Sequence, residues 1–479
     1  AYRKALELPN SSRLAFSNLL TTAHYHPGMS EKDILNIIRH WGVKYAPSTV
    51  NKRPETDKTL VRKLKIGMVS DGFRSHPVGQ MIISVLEECG DQQFEFYCYS
   101  TNNHEDHITI RFKKIAYVFL SVEHMSDEQL ENRVLEDKVD ILFDLSGHNS
   151  GNRMMAIASA PAPIIVKWVG GLINTTGVSS IDYLISDSIE TPFGVDENYT
   201  ENIIRLPDDY ICYTPPHYMP SVSLLPASKN KYITFGCFNN AAKLNEQVLA
   251  QWAKLMHKVP SSKLYLKSMQ LGNPEMRERI IDLMEGEGIS IDRLRIEGPS
   301  PHIELLQCYG DVDISLDPWP YSGGLTTCES LLMGVPVVTL PGPTFAGRHS
   351  ATHLVNAGMP ELVVNSWQEY QERVLELASD LDSLATIRQH LRQVLLESPV
   401  CNAPRFAKHF TDAMRAIWQR HCEGKQPAAL TFDKTGLAKF SDEETPVDLV
   451  YAESNESDIV GFNWSLPSKI IVLDNGSKL

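Results

Sequence analysis

The chain has 479 residues, enough for two core-bearing domains, and its apolar and charged fractions are those of an ordinary soluble globular protein. A net charge of -14 argues against nucleic acid as the main partner, because phosphate backbones need a basic surface. No apolar run approaches the ~20 residues a membrane span requires, and none of the eight cysteines forms a C-x-x-C pair. Free thiols in a reducing, cytoplasmic compartment are therefore expected, without a disulfide framework or zinc site.

Residues 1–60 read as helical segments and a linker. Tyr2, Ala5, Leu6 and Leu8 fit the last turns of an amphipathic helix stopped by Pro9, with no initiator Met and no signal-peptide pattern before it, as if something N-terminal were missing. Ser30 is a predicted N-cap with Asp33 three positions on, and Ile34, Ile37, Ile38 and Trp41 follow at helical spacing. Tyr45 to Asp57, with Pro47 and Pro54, reads as the linker.

From residue 61 short apolar strands alternate with helices, which implies parallel β-α-β units. Strands are predicted at Leu64 to Ser70, Phe94 to Tyr99, Val139 to Leu145, Ile164 to Val169 and near Tyr183. A second series begins at Tyr232 to Phe238 and continues through Lys263 to Lys267, Leu294 to Ile296, Val312 to Leu316 and Val335 to Leu340. The expected architecture is α/β, with doubly wound domains at 61–230 and 231–425 facing a cleft that holds the site. Residues 426–479 are expected to be an acidic tail of unreadable role.

Four loops carry candidate chemistry. After Asp313 to Asp317 the chain turns through Pro318 and Pro320, passes Gly323 and Gly324, and enters a helix near Thr326 and Thr327. Glycines permit close backbone approach, and a helix start offers unpaired N–H groups and partial positive charge, which suits a diphosphate. Glu329, read as first-turn, can accept from ribose hydroxyls. The plainer reading is a capped helix after a glycine turn. Lys243, in the loop Asn239 to Lys243 after a strand, can reach a phosphate or simply be solvated. His76, in Ser75-His76-Pro77 after the first strand, can act on a proton or serve structure, with Pro77 as N1 of the next helix. His148 and Asn149, after Asp144 to Gly147, can contact sugar hydroxyls or make an ordinary turn. Asp311-Val312-Asp313 mimics a D-x-D metal motif but runs straight into a strand, so no metal site is expected.

Eight segments in order resemble one family: Ser75 to Val78, Asp144 to His148, Pro161 to Pro163, Thr175 to Gly177, Asp182-Tyr183, Phe238 to Lys243, Tyr321 to Pro336 and Ser398 to Asn402. From about Ala1 to about Gly424 the chain resembles the catalytic region of the O-linked N-acetylglucosamine transferases and their Spindly-type relatives, and Ala1 to Pro9 resembles the end of a tetratricopeptide repeat.

The resemblance implies a two-domain GT-B fold and inverting, metal-independent transfer to Ser or Thr hydroxyls. It also implies a nucleotide-sugar donor and protein acceptors recruited through such repeats, with no cofactor, no nucleic acid and no membrane. It matches His76 to the active-site histidine, whose role as base is disputed in the family, and Asp137 loosely to another suggested base. Lys243 matches the lysine on the leaving diphosphate, and Asn240 falls where a nucleotide-contacting Gln is common. Gly323, Gly324, Leu325, Thr326 and Thr327 match the phosphate-binding helix start, Glu329 the ribose-binding acid, and Ser300-Pro301-His302 the base-holding loop. His148 and Asn149 fall near sugar or acceptor.

Three departures stand out. Leu305 replaces a histidine common against the base, Gly72 stands where Asp usually precedes Phe, and the loop Trp168 to Asn174 is one residue longer. UDP-N-acetylglucosamine is the expected donor, with GDP-fucose or UDP-glucose as nearest alternatives. A sugar-nucleotide epimerase and a non-catalytic repeat scaffold are the rival classes.

Overall fold

A computed structural model describes residues 12–46, 53–149 and 151–452. The expected helix end at Ala1 to Pro9 and the middle of the predicted linker lie outside them. Two helices open the described chain, α1 (Arg13–Ala23) and α2 (Glu31–Tyr45). Ser30 caps α2 as expected, accepting from the Asp33 N–H at 3.1 Å and donating to the Asp33 carboxylate at 2.6 Å.

Two sheets follow. The first runs, in spatial order, β14 (Ala438–Phe440), β13 (Leu430–Phe432), β7 (Asn202–Leu206), β6 (Tyr183–Asp187), β5 (Ile164–Lys167), β4 (Ile141–Asp144), β1 (Leu64–Ser70), β2 (Phe94–Ser100) and β3 (Ala116–Ser121). Its neighbours pair in parallel except β13 with β14. The second sheet is parallel throughout: β10 (Leu294–Glu297), β9 (Lys263–Lys267), β8 (Thr234–Cys237), β11 (Ile314–Leu316) and β12 (Val337–Val338). The expected doubly wound α/β pair is what the chain forms, and it is the GT-B arrangement.

In each sheet the strand order reverses at one place, and there neighbouring loops diverge and leave a crevice at the carboxyl ends of the strands. The reversals fall between β1 and β4 and between β8 and β11. The loops leaving these four strands hold His76, His148, Lys243 and Gly323. Sheet topology thus gathers the four candidate loops at the two crevices.

Beyond β12 the chain departs from the expected domain division. The 20-residue helix Ala403–Cys422 returns to the first sheet. Phe406 stacks on Trp168 with ring centres 5.9 Å apart, and Phe410 packs 5.7 Å from Phe143. Residues 430–440 then add β13 and β14 to the edge of that sheet, where an acidic tail of unreadable role is expected. Leu430, Phe432, Ala438 and Phe440 are the buried alternating positions that drive this, and the run is short enough to hide within its polar surroundings.

The opening helices are fastened to the first domain. A Cβ on Gly42 of α2 would lie 1.9 Å from the Gly177 carbonyl oxygen, so only glycine permits that approach. Gly42→Ala is accordingly expected to cost about 1–3 kcal/mol of stability, as overpacking does. Denaturant titration measures it, and an unchanged midpoint would show that α2 is not seated there.

Candidate active site

His76 ends the loop after β1 and is the N-cap of α3 (Pro77–Glu88), with Pro77 at N1 as the sequence predicts. Its Nδ1 accepts from the Val78 N–H at 3.3 Å. With Nδ1 an acceptor, the neutral ring carries its proton on Nε2. Burial pushes the His76 pKa below the ordinary histidine value; Asp71 opposes the shift and Arg74 adds to it. The neutral ring, presenting Nε2–H, is the form at neutral pH. The Gly72 departure has a local cause: a Cβ there would lie 2.6 Å from Val78 Cβ and 2.9 Å from His76 Nδ1.

On the facing side, α6 starts at Leu325, one residue before the predicted start, and runs to Leu332. (Helices α4, Asp127–Asp137, and α5, His302–Cys308, precede it.) Gly324 is its N-cap and supplies no side-chain cap; the Thr327 N–H turns back to the Gly324 carbonyl at 3.0 Å, and the Leu325 and Thr326 amides are the first-turn donors left to offer. Gly324, Leu325 and Thr326 are half-exposed. Gly323 is buried and its N–H is spent on the Asp317 carboxylate at 2.7 Å. It must be glycine, because a Cβ would meet the Thr327 and Thr326 hydroxyls at 2.6 and 2.8 Å. Gly323 therefore shapes the turn and does not contact a ligand through its amide.

Lys243 reaches this turn from the β8 loop. Its Nζ donates to Asn239 Oδ1 at 3.0 Å and to the Ser322 carbonyl at 2.6 Å, and lies 4.2 Å from the centre of the Tyr321 ring. An ammonium has three donors, so one remains. Thr326 Oγ1 donates to the same Asn239 oxygen at 3.0 Å. Burial lowers the Lys243 pKa to about 8, against the raising effect of Asp317. A bound diphosphate favours the charged form. Anion affinity should be full below pH 8 and fall as pH rises through it, with proton uptake on binding above that pH. Calorimetry of UDP in buffers of differing ionisation enthalpy reads that uptake; pH-independent affinity from 7 to about 9.5 would contradict it.

His302 and Glu329 form the other wall. Glu329 lies in the second turn of α6, not the first, and is buried, with His302 Nε2 at 2.6 Å from Oε1. His302 Nδ1 is 2.8 Å from the Tyr218 hydroxyl. Burial disfavours the His302 charge, but the hydrogen bond and charge of Glu329 outweigh it and raise the pKa. His302 thus orients a carboxylate that can take a hydroxyl donor. Leu305 is half-buried against the cluster around Phe238 and Tyr309. Pro301 is exposed and Ser300 half-exposed, with the Ser300 hydroxyl directed only at its own loop.

The two walls meet. Met81 in α3 places its Cε 3.9 Å from where a Gly324 Cβ would stand. Aromatic contacts run from His107 through His217 and Tyr218 to His302, at centroid separations of 5.1, 5.1 and 5.7 Å. His107 Nδ1 is 3.5 Å from Ser75 Oγ, beside His76.

Other expected site residues lie elsewhere. Asp137 ends α4 four residues before β4 begins, at the amino ends of the strands, opposite the His76 loop. It accepts from the Tyr99 hydroxyl at 2.8 Å and from Arg133 at 2.8 and 3.0 Å, so it is a helix-end ion pair and not a base. His148 is buried under α2, its ring 4.4 Å edge-on to Trp41 and its Nε2 2.9 Å from the Thr176 carbonyl. Burial lowers its pKa to about 4. It is a neutral ring packed between Trp41 and the Thr176 turn. Asn149 is exposed on the turn beside it. Thr327 turns its hydroxyl to Ser350 at 2.7 Å, away from the cleft. Asn240 is exposed and caps its own turn through Ala242 N–H. Asp313 accepts from the Ala227 and Thr234 amides at 2.8 Å each, as strand-edge chemistry requires.

Sequence reasoning places Asp317, Asn239 and Tyr321 in the site segments without giving them a role, and passes over Tyr218. Asp317 and Asn239 each follow an apolar strand at a crevice, a signal present in the pattern. The two tyrosines show their role only in three dimensions.

Comparisons with known proteins give the family and the fold. The model of glycosyl transferase family 41 matches residues 42–223 and 224–410. The chain is 34% identical over 432 residues to a Petunia hybrida protein named probable UDP-N-acetylglucosamine–peptide N-acetylglucosaminyltransferase SPINDLY, covering 88% of this chain and 46% of that protein. A protein of the same name from Oryza sativa subsp. japonica is 35% identical over 443 residues, covering 90% and 47%. The chain thus spans about half the length of the curated relatives it matches. A solved point mutant of Thermobaculum terrenum O-GlcNAc transferase superposes with a TM-score of 0.83 at 36% identity, covering 88% of this chain and 81% of that one. Two crevices facing each other, a lysine beside a glycine-led helix start, and these likenesses lead to one conclusion: the chain belongs to glycosyl transferase family 41.

Proposed function

We propose that the protein transfers N-acetylglucosamine from UDP-N-acetylglucosamine to Ser or Thr hydroxyls of proteins, with inversion and without a metal. The observation that carries this is the Lys243 ammonium, with one donor unspent, beside the open first turn of α6. That pairing suits a leaving diphosphate. The second domain holds the donor, with Glu329, oriented by His302, taking a ribose hydroxyl. The first domain presents the acceptor beside His76.

The acceptor oxygen attacks the anomeric carbon from the face opposite the diphosphate. The bond to UDP breaks as the new glycosidic bond forms, and negative charge develops on the diphosphate next to Lys243 and the Gly324 to Thr326 amides. His76, neutral with its proton on Nε2, orients the incoming group by donating a hydrogen bond, and the acceptor proton leaves through water. Recruitment of acceptors through tetratricopeptide repeats, proposed on the resemblance of Ala1 to Pro9, and a cytoplasmic setting complete the reading.

Calorimetry with UDP, GDP, UDP-N-acetylglucosamine, UDP-glucose and GDP-fucose, followed by transfer assays on a protein panel, tests it. UDP-N-acetylglucosamine is expected to bind and transfer. Transfer from GDP-fucose alone, or conversion to an epimer without any acceptor, would replace this reading.

A further inference from the structure

The α1–α2 pair lies outside both sheets, yet one residue beside it reaches the donor turn. Tyr25, two residues past α1, stacks on Tyr321 with ring centres 5.0 Å apart and planes 16° from parallel. Tyr321 belongs to the Pro320 to Gly324 turn, and its ring also carries the Lys243 ammonium at 4.2 Å. The next residue, Ser322, gives Lys243 its carbonyl. Tyr25 is itself anchored from the first-domain side. His24 Nε2 is 3.3 Å from the Asn174 amide, Arg39 donates to the Glu197 carbonyl at 3.1 Å, and Gly42 is locked against Gly177. A ring held by the first-domain block therefore presses on the second-domain turn that aims the lysine.

We infer that Tyr25 is a positioning residue for Lys243, holding the Tyr321 ring and with it the ammonium in the place where an anionic leaving group is met. This rests on the proposed role of Lys243. Stacked aromatic rings fix one another's planes, and an ammonium follows the face of the ring it sits on. Without Tyr25, water reaches Tyr321 and the lysine, and the turn loses one wall. The groups that face Lys243 or the Tyr321 ring are Asp317 and Cys237 at strand ends, His349 with its ring 5.8 Å from Tyr321, and the buried Glu190. None of them replaces the lost ring.

The test needs no transfer assay. Lysines labelled at Cε with carbon-13 are titrated by NMR, Lys243→Met identifying the signal, and UDP affinity is measured beside it. In Tyr25→Ala the Lys243 midpoint is expected to rise from about 8 toward the ordinary 10.5 as burial is relieved. UDP affinity should fall about tenfold as the ammonium loses its fixed place. Tyr25→Leu, which keeps the apolar bulk but not the ring plane, is expected to lose the affinity too. Tyr25→Phe, which keeps the stack, is expected to restore both. Wild-type titration and affinity in folded Tyr25→Ala or Tyr25→Leu would overturn the inference. If the Lys243 midpoint shifts but UDP binds to neither wild type nor variant, the positioning stands and the nucleotide-sugar reading fails.

Discussion

Lys243→Met is expected to lower kcat by ~10²–10³-fold while leaving the donor complex able to form, the loss typical of removing one preorganised donor from developing charge. Methionine keeps an unbranched apolar stem, so packing is retained and only the ammonium goes. The Asn239 carboxamide then loses one donor and keeps the other, Thr326, and the Ser322 carbonyl is left without its lysine. The deficit should be larger in kcat than in KM, because the charge Lys243 meets grows as the bond to the diphosphate breaks, on top of the weaker loss of diphosphate affinity. Arginine is not expected to rescue, since a planar fork does not fit a site shaped by a ring face and two oxygens. Single-turnover rates at saturating donor check this. A rate within a few-fold of wild type would remove Lys243 from the chemistry.

His76→Ala is expected to cost about 10²-fold in kcat/KM, the lower end of what a positioned acid–base or hydrogen-bonding group contributes. His76→Gln, which can still donate from an amide, should recover part of it. The sign with pH follows from geometry. The neutral ring uses Nδ1 to accept from Val78 and Nε2 to donate, and protonation turns Nδ1 into a donor facing a donor. Since burial lowers the pKa below the usual histidine value, activity should be flat at neutral pH and decline as pH falls below the ordinary histidine range. A glutamine variant no better than alanine, with an alkaline rise in rate through the histidine range, would instead make His76 the base.

Much of this site is legible in the sequence because it lies where apolar strands stop. Each of β1, β8 and β11 is a short apolar run followed by turn residues, and the loops after them are the ones that matter. Pro77 at N1 and the paired glycines before α6 are local signals, read from nearest neighbours. What local pattern does not carry is which way a side chain faces. His148 sits at the same kind of strand end as His76, but Trp41, more than a hundred residues earlier, folds over it. Asp137 has the right residue type and lies at the wrong end of the sheet. Glu329 falls a turn later than read because α6 starts at Leu325, and that one position turns it inward to His302. The return of Ala403–Cys422 to the first sheet depends on Phe406 and Phe410 meeting Trp168, a contact between residues far apart in the chain. The same holds for the stack of Tyr25 on Tyr321.

In the proposed function, the cleft between the two crevices moves a sugar from a nucleotide to a protein hydroxyl. Intact-mass spectrometry of candidate acceptor proteins incubated with the enzyme and UDP-N-acetylglucosamine tests it most directly, with Lys243→Met as control. The expected result is addition of whole N-acetylhexosamine residues to Ser or Thr, dependent on Lys243 and accompanied by stoichiometric UDP. Release of free sugar and UDP without any modified protein, or modification at the same rate with Lys243→Met, would contradict it.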